Sequence, residues 1–122
     1  MGKLVALMKI RKDISFPEAR RMCEEEHVPL VMQVMSMIKD YRRSDLSVSR
    51  AYIPSAEVFP DFDGVTELWF DSERELDEFL SQMLNGEQGF RLREDSSRFL
   101  AKETTRMFAV DEAITLRVAD KA

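Results

Sequence analysis

The only histidine and the only cysteine of this 122-residue chain fall in one short stretch, Cys23-Glu24-Glu25-Glu26-His27-Val28-Pro29-Leu30-Val31. His27 is the side chain whose ordinary pKa lies nearest neutrality, which makes it the first candidate for moving a proton at physiological pH. Its helical neighbours offer a structural alternative, in which the imidazole sits at a helix C-terminus and is favoured there by the dipole. Glu67 is the second candidate, because a carboxylate on an otherwise apolar strand must be paired, protonated or open to a pocket. It either orients His27 or binds a substrate hydroxyl, or else it pairs with an arginine such as Arg106 across a sheet. Cys23 reads as a small core residue rather than a nucleophile.

Other chemistries find little support. With one histidine there is no H-x-x-x-H or C-x-x-C spacing, and Glu24, Glu25 and Glu26 point in successive directions around a helix, so no side-chain metal site is expected. The four glycines are isolated or at turns, which provides no phosphate-cradling loop. No cofactor is called for; haem enters only because one histidine can serve as an axial ligand. The net charge of −5, with Lys and Arg interspersed among acids, speaks against nucleic-acid binding. Arg42-Arg43 and Lys9 to Lys12 are the densest basic spots, and solvated strand ends account for them. The apolar run after Met1 is cut short by Lys9, Arg11 and Lys12, so neither signal peptide nor membrane span is expected, and a cytoplasmic protein is. The composition, 44% hydrophobic and 34% charged, suits a single globular domain over residues 1–122, with about 111–122 as a C-terminal extension.

The elements that must position these residues follow from periodicity and capping. Lys3 to Ile10 reads as a strand covered on both faces. Ser15-Phe16-Pro17-Glu18 has the capping-box pattern, opening a helix from Phe16 to about Glu26. Pro29 predicts a break or kink at His27-Val28, followed by a second helical segment from Pro29 to about Ser36. Lys39 to Tyr52 suits a long, half-exposed second strand, and Ile53 to Phe62 a loop closing at Gly64. Val65 to Phe70 is the clearest strand and runs into a second capping box, Ser72 with Glu75. Leu76, Phe79, Leu80, Met83 and Leu84 give the next helix one apolar face, and Asn85-Gly86 stops it. Glu87 to Lys102 suits a short helix or two turns with Arg93 to Arg98 outside, and Thr104 to Val110 a last strand that Ala113 to Val118 extends or carries to a partner.

The order β, α, β, β, α, β is that of the ferredoxin-like plait, an α+β fold with an antiparallel sheet and both helices on one face. Val65 and Trp69 share the face opposite Leu68 and Phe70, so the uncovered side of the sheet also needs a partner. A second copy stacked sheet against sheet, forming a dimeric α/β barrel, meets that need.

Leu4-Val5-Ala6-Leu7-Met8-Lys9, then Glu26-His27-Val28-Pro29-Leu30, then Phe62-Asp63-Gly64-Val65-Thr66-Glu67-Leu68-Trp69-Phe70-Asp71-Ser72 resemble the EthD-like family. That family is named for ethyl tert-butyl ether degradation and belongs to the dimeric α/β barrel superfamily. The resemblance implies a homodimer with a mostly apolar pocket between each sheet and its helices. The superfamily includes cofactor-free monooxygenases, decarboxylases, cyclases and isomerases, so the fold does not choose a reaction. Two expectations result. One is a cofactor-independent enzyme of a small hydrophobic, aromatic or polyketide-like metabolite, with His27 transferring the proton and Glu67 assisting. The other is a non-catalytic protein that holds a hydrophobic ligand in a pocket of Met8, Tyr41, Trp69 and Phe70.

Overall fold

The computed structural model describes residues 1–115. Four strands, β1 (Gly2–Met8), β2 (Asp40–Asp45), β3 (Gly64–Phe70) and β4 (Arg106–Val110), form one antiparallel sheet in the order β2-β3-β1-β4. Helices α1 (Phe16–Met22), α2 (Val28–Val34), α3 (Glu73–Asn85) and α4 (Glu87–Ser96) complete the α+β ferredoxin-like plait. Strand alternation sends Leu4, Ala6, Leu68 and Phe70 into the core, where Val31, Met35, Ile38, Leu76, Phe79 and Leu92 meet them. Ala19, Cys23, Phe99 and Leu100 make a second, smaller cluster.

Several elements depart from their sequence pattern. The expected break at His27-Val28 does not occur: both residues are helical, with φ/ψ of −75°/−50° and −58°/−46°. Cys23–His27 instead adopts π-helical winding, and the Val28 N–H donates to the Cys23 carbonyl. The wider turn accommodates Pro29, which has no N–H to offer and would crowd the carbonyl of the preceding turn. His27 therefore lies within a continuous helical path, not at a helix end. At Ser15 only half of the capping box forms, since the hydroxyl accepts from the Glu18 N–H while the Glu18 carboxylate pairs with Arg21.

The second strand is shorter than Lys39 to Tyr52 because β2 is an edge strand paired only with β3, whose ladder ends at Asp45↔Gly64. Beyond it the backbone turns through 3₁₀ segments at Val48–Arg50 and Ala56–Val58. β1 ends at Met8, and Ile10 forms an isolated bridge with Leu100. Leu84 is exposed, not part of the buried face of α3, although it stands four residues after Leu80 and eight after Leu76. The 87–102 segment contains a regular helix, α4, which closes tightly on α3. A Cβ at Gly89 would come within 2.1 Å of the Gln82 carbonyl oxygen, so only glycine permits this approach. Residues 113–115 form no strand, and the remainder of the expected Ala113 to Val118 extension lies outside the described residues.

The sheet face away from the helices carries Val5, Leu7, Val65, Trp69 and Phe108, with the Lys3–Glu67 ion pair among them on the two central strands. Lys3 Nζ and the Arg42 guanidinium lie 4.7 and 4.9 Å from the Trp69 ring centroid, within cation–π range.

Candidate functional site

The π-helical segment and the end of α4 bring His27 and Asp95 together across 68 residues of sequence. The His27 side chain is 12% exposed, and its Nδ1 lies 2.8 Å from Asp95 Oδ2. Phe99 packs edge-on against the imidazole, with ring centroids 5.4 Å apart. The second oxygen of Asp95 is 2.9 Å from Arg98 Nη2. Arg98 also donates to Glu26, and Glu26 accepts from Arg21, so an alternating chain of charges leads from the imidazole to the surface.

This geometry assigns the imidazole a role for each nitrogen. A carboxylate accepts from Nδ1–H, which leaves the lone pair on Nε2 for a ligand. Burial pushes the His27 pKa below its ordinary 6.5, outweighing the opposing pull of Asp95, and Arg98 adds to the lowering. The ring is thus held neutral and oriented, the state in which a histidine acts as a base. Burial raises the Cys23 thiol to about 11, so it remains protonated and packs as an apolar group.

The lowered pKa of His27 links protonation to stability. Since the folded value lies below the unfolded one, the stabilisation is fully present above pH 6.5 and is lost as pH falls through the folded value. Urea midpoints of the wild type should decline on acidification below 6.5, and His27→Gln should flatten that part of the profile. Superimposable pH profiles for the two proteins would rule out the linkage.

A cavity of about 800 Å³ opens beside His27 between the sheet and the helices. The sheet contributes Ala6, Met8, Tyr41, Thr66 and Leu68, while Val31 and Phe79 close it from the helices. Its volume is that of a small-molecule site, and its wall is largely apolar with few polar groups. At the mouth the lining residues Leu84, Phe90, Arg93 and Lys102 are exposed.

Of the residues expected at a site, His27, Met8 and Tyr41 line this cavity together. Glu67 is not brought to His27. It points to the opposite sheet face, because β3 alternates and Thr66 and Leu68 take the inward positions, and it pairs with Lys3 at 2.9 Å. Nor does Glu67 pair with Arg106, whose partner is Asp61. Trp69 lies on that same outer face. Phe70 faces inward but is sealed in the core against Phe79, with ring centroids 5.4 Å apart, and does not reach the cavity wall. Asp95, Arg98, Phe99 and Thr66 are the site residues that sequence reasoning missed. The polar run Arg93 to Arg98 looks like a solvated face, and its i,i+3 pair Asp95/Arg98 was the one available signal. Among the described residues no group of three or more His, Cys, Asp or Glu side chains converges to hold a metal ion, and no helix is long and apolar enough to cross a membrane.

Fold and site together define an α+β plait with a histidine–carboxylate pair at an interior apolar cavity. The EthD domain profile matches residues 11–103, and the chain belongs to that family. Among solved structures it is similar to an ethyl tert-butyl ether degradation (EthD) family protein from Bacillus halodurans C-125, at 18% identity and a TM-score of 0.62, covering 93% of this chain and 99% of that one. A dimeric protein of ferredoxin-like fold from Bacteroides fragilis shares 11% identity with a TM-score of 0.55, over 91% and 95% of the two chains. The hydroxynitrile lyase of Passiflora edulis shares 10% identity with a TM-score of 0.58, over 93% and 95%. At these identities the likeness is one of fold. No curated protein matches the sequence.

Proposed function

We propose that this EthD protein is a cofactor-independent enzyme of a small hydrophobic, aromatic or polyketide-like carbonyl compound, with His27 carrying the proton. The observation that bears most weight is the His27–Asp95 pair, 2.8 Å apart at the wall of an apolar cavity. In the proposed step Nε2 removes a proton from the carbon next to the carbonyl. The C–H electron pair becomes the enolate, and the ring becomes an imidazolium. Asp95, accepting from Nδ1–H, orients the ring and stabilises its positive charge, and the proton is then returned to carbon or oxygen. The low polarity of the cavity favours a neutral base and a neutral substrate before the transfer. A hydroxynitrile lyase among the structural neighbours supports the idea that a fold of this kind houses such a site.

The test is exchange. In D2O the protein should incorporate deuterium next to the carbonyl of aromatic ketones that bind in the cavity, followed by NMR or mass spectrometry. Ketones that bind tightly but gain no deuterium would overturn the enzymatic reading in favour of a ligand-holding protein.

The chain is further proposed to act as one cytoplasmic domain and as a homodimer joined through its outer sheet faces. The support is the apolar strip of Val5, Leu7, Val65 and Phe108, the last 52% exposed, together with the dimeric ferredoxin-like neighbours. Phe108→Glu should shift the protein from dimer to monomer in light scattering at micromolar concentration, because it places a charge in an apolar contact. A dimer unaffected by that change would place the interface elsewhere.

A further inference from the structure

The cavity beside His27 contains a second polar group that the proton-transfer step does not use. Tyr41 stands on β2 opposite Leu68 and faces the helices. Its hydroxyl makes no hydrogen bond to another described residue. Yet among the described residues no enclosed side-chain oxygen lacks a partner, so the Tyr41 oxygen still touches open space, and the cavity is the space that Tyr41 lines. A half-buried phenol facing an apolar cavity without a partner is a donor awaiting an acceptor. Of the other hydroxyls lining the cavity, Thr66 donates to Met8 Sδ at 3.2 Å, a weak acceptor but one that occupies its proton, Ser96 and Ser97 donate to the Arg93 and Glu94 carbonyls, and Thr105 lies next to β4 rather than on β2.

The cations nearest the inner wall are engaged in ion pairs, and those that line the mouth share it with the carboxylates Glu94 and Glu103. Arg43 is bound to Glu24 and Asp45, and Arg98 to Asp95 and Glu26. Arg93 and Lys102 lie at the exposed mouth, and Arg93 donates to the Met83 carbonyl. A carboxylate brought to the inner wall would lose its water without gaining a cation, whereas a ketone oxygen needs only the hydroxyl.

From this we infer that Tyr41 is the hydrogen-bond donor that reads the ligand's oxygen, and that the site selects an uncharged carbonyl compound over a carboxylate of the same skeleton. The inference rests on the proton-transfer reading of His27 and names its substrate class. Burial also holds the Tyr41 phenol above its ordinary pKa, which keeps the donor proton in place across physiological pH. As the carbonyl becomes an enolate, the same hydrogen bond meets growing negative charge and strengthens.

Three probes of one skeleton test this: 2-acetylnaphthalene, 2-naphthoate and 2-methylnaphthalene, with Kd measured by NMR titration. The ketone should bind the wild type about tenfold more tightly than the carboxylate. Tyr41→Phe should weaken ketone binding about five- to tenfold and leave 2-methylnaphthalene unchanged, with an unaltered Tm showing that the fold is kept. Equal or tighter binding of 2-naphthoate, an indifferent Tyr41→Phe, or no binding by any of the three overturns the inference. Binding needs no proton transfer, so the same preference should persist in His27→Ala. A wild type that prefers the ketone through Tyr41 but exchanges no deuterium defeats the proton-transfer reading alone. Exchange that continues beside an indifferent Tyr41→Phe defeats this inference alone.

Discussion

His27→Ala should lower the rate of deuterium exchange into a cavity-bound ketone by about 10²- to 10⁴-fold, the span that a positioned acid or base contributes. Ketone affinity should change little, because the apolar wall and Tyr41 remain in place. Asp95→Asn should reproduce much of the loss while leaving the imidazole present. An amide at this position can offer Nδ1 either its oxygen or its NH2, so the tautomer is no longer enforced. Nor does it carry the charge that stabilises the imidazolium. The two losses should be non-additive, the double variant being about as slow as His27→Ala, because the residues act as one unit. Exchange at the wild-type rate in His27→Ala would remove the histidine from the mechanism. Additive losses would mean that Asp95 acts independently of it.

The second large effect concerns the wall of the site. Phe79 is 2% exposed, packs on Phe70 and lines the cavity, so it serves both core and site. Phe79→Ala should lower stability by about 3–5 kcal/mol, combining lost burial with the space left behind. Against a total of roughly 5–15 kcal/mol for a domain, that approaches the limit of folding. Urea denaturation with an unchanged m-value would measure it. A loss below about 1 kcal/mol would show that the helices close over the gap, and that this part of the wall is not held as described. Because the deleted ring borders an existing cavity, extra volume should join it, and bulky probes should bind relatively better than small ones.

The exposed residues of the 46–62 segment, Val48, Tyr52, Val58 and Phe59, carry no comparable expectation, since none belongs to either core cluster.

Much of this architecture was legible along the chain. The βαββαβ order, the serine caps at Ser15 and Ser72, the buried face of Leu76 and Phe79, and the opposed faces of Trp69 and Phe70 all follow from rules acting over a few residues. His27 was legible as a candidate because it is the lone imidazole, and Met8 and Tyr41 because apolar and aromatic residues on inward strand positions line cavities. The helix through Val28 was not legible as continuous. Proline rules describe α-helical hydrogen bonding, and the chain escaped them by widening one turn into a π-helix.

The stretch around His27 therefore determined by itself which side chain could move a proton, since that depends only on the chemistry of imidazole. It did not determine what that imidazole would meet. Asp95 reaches Nδ1 only because Gly89 lets α4 close against α3 and present its last turn to the π-helical segment, 68 residues away in sequence. Glu67, chemically the more conspicuous carboxylate, was placed on the far face by the two-residue period of β3 and the choice of which face the helices cover. Side-chain chemistry is local and can be read residue by residue. The partner of a side chain is set by the packing of distant elements, and only the tertiary structure decided that His27 would be paired with Asp95.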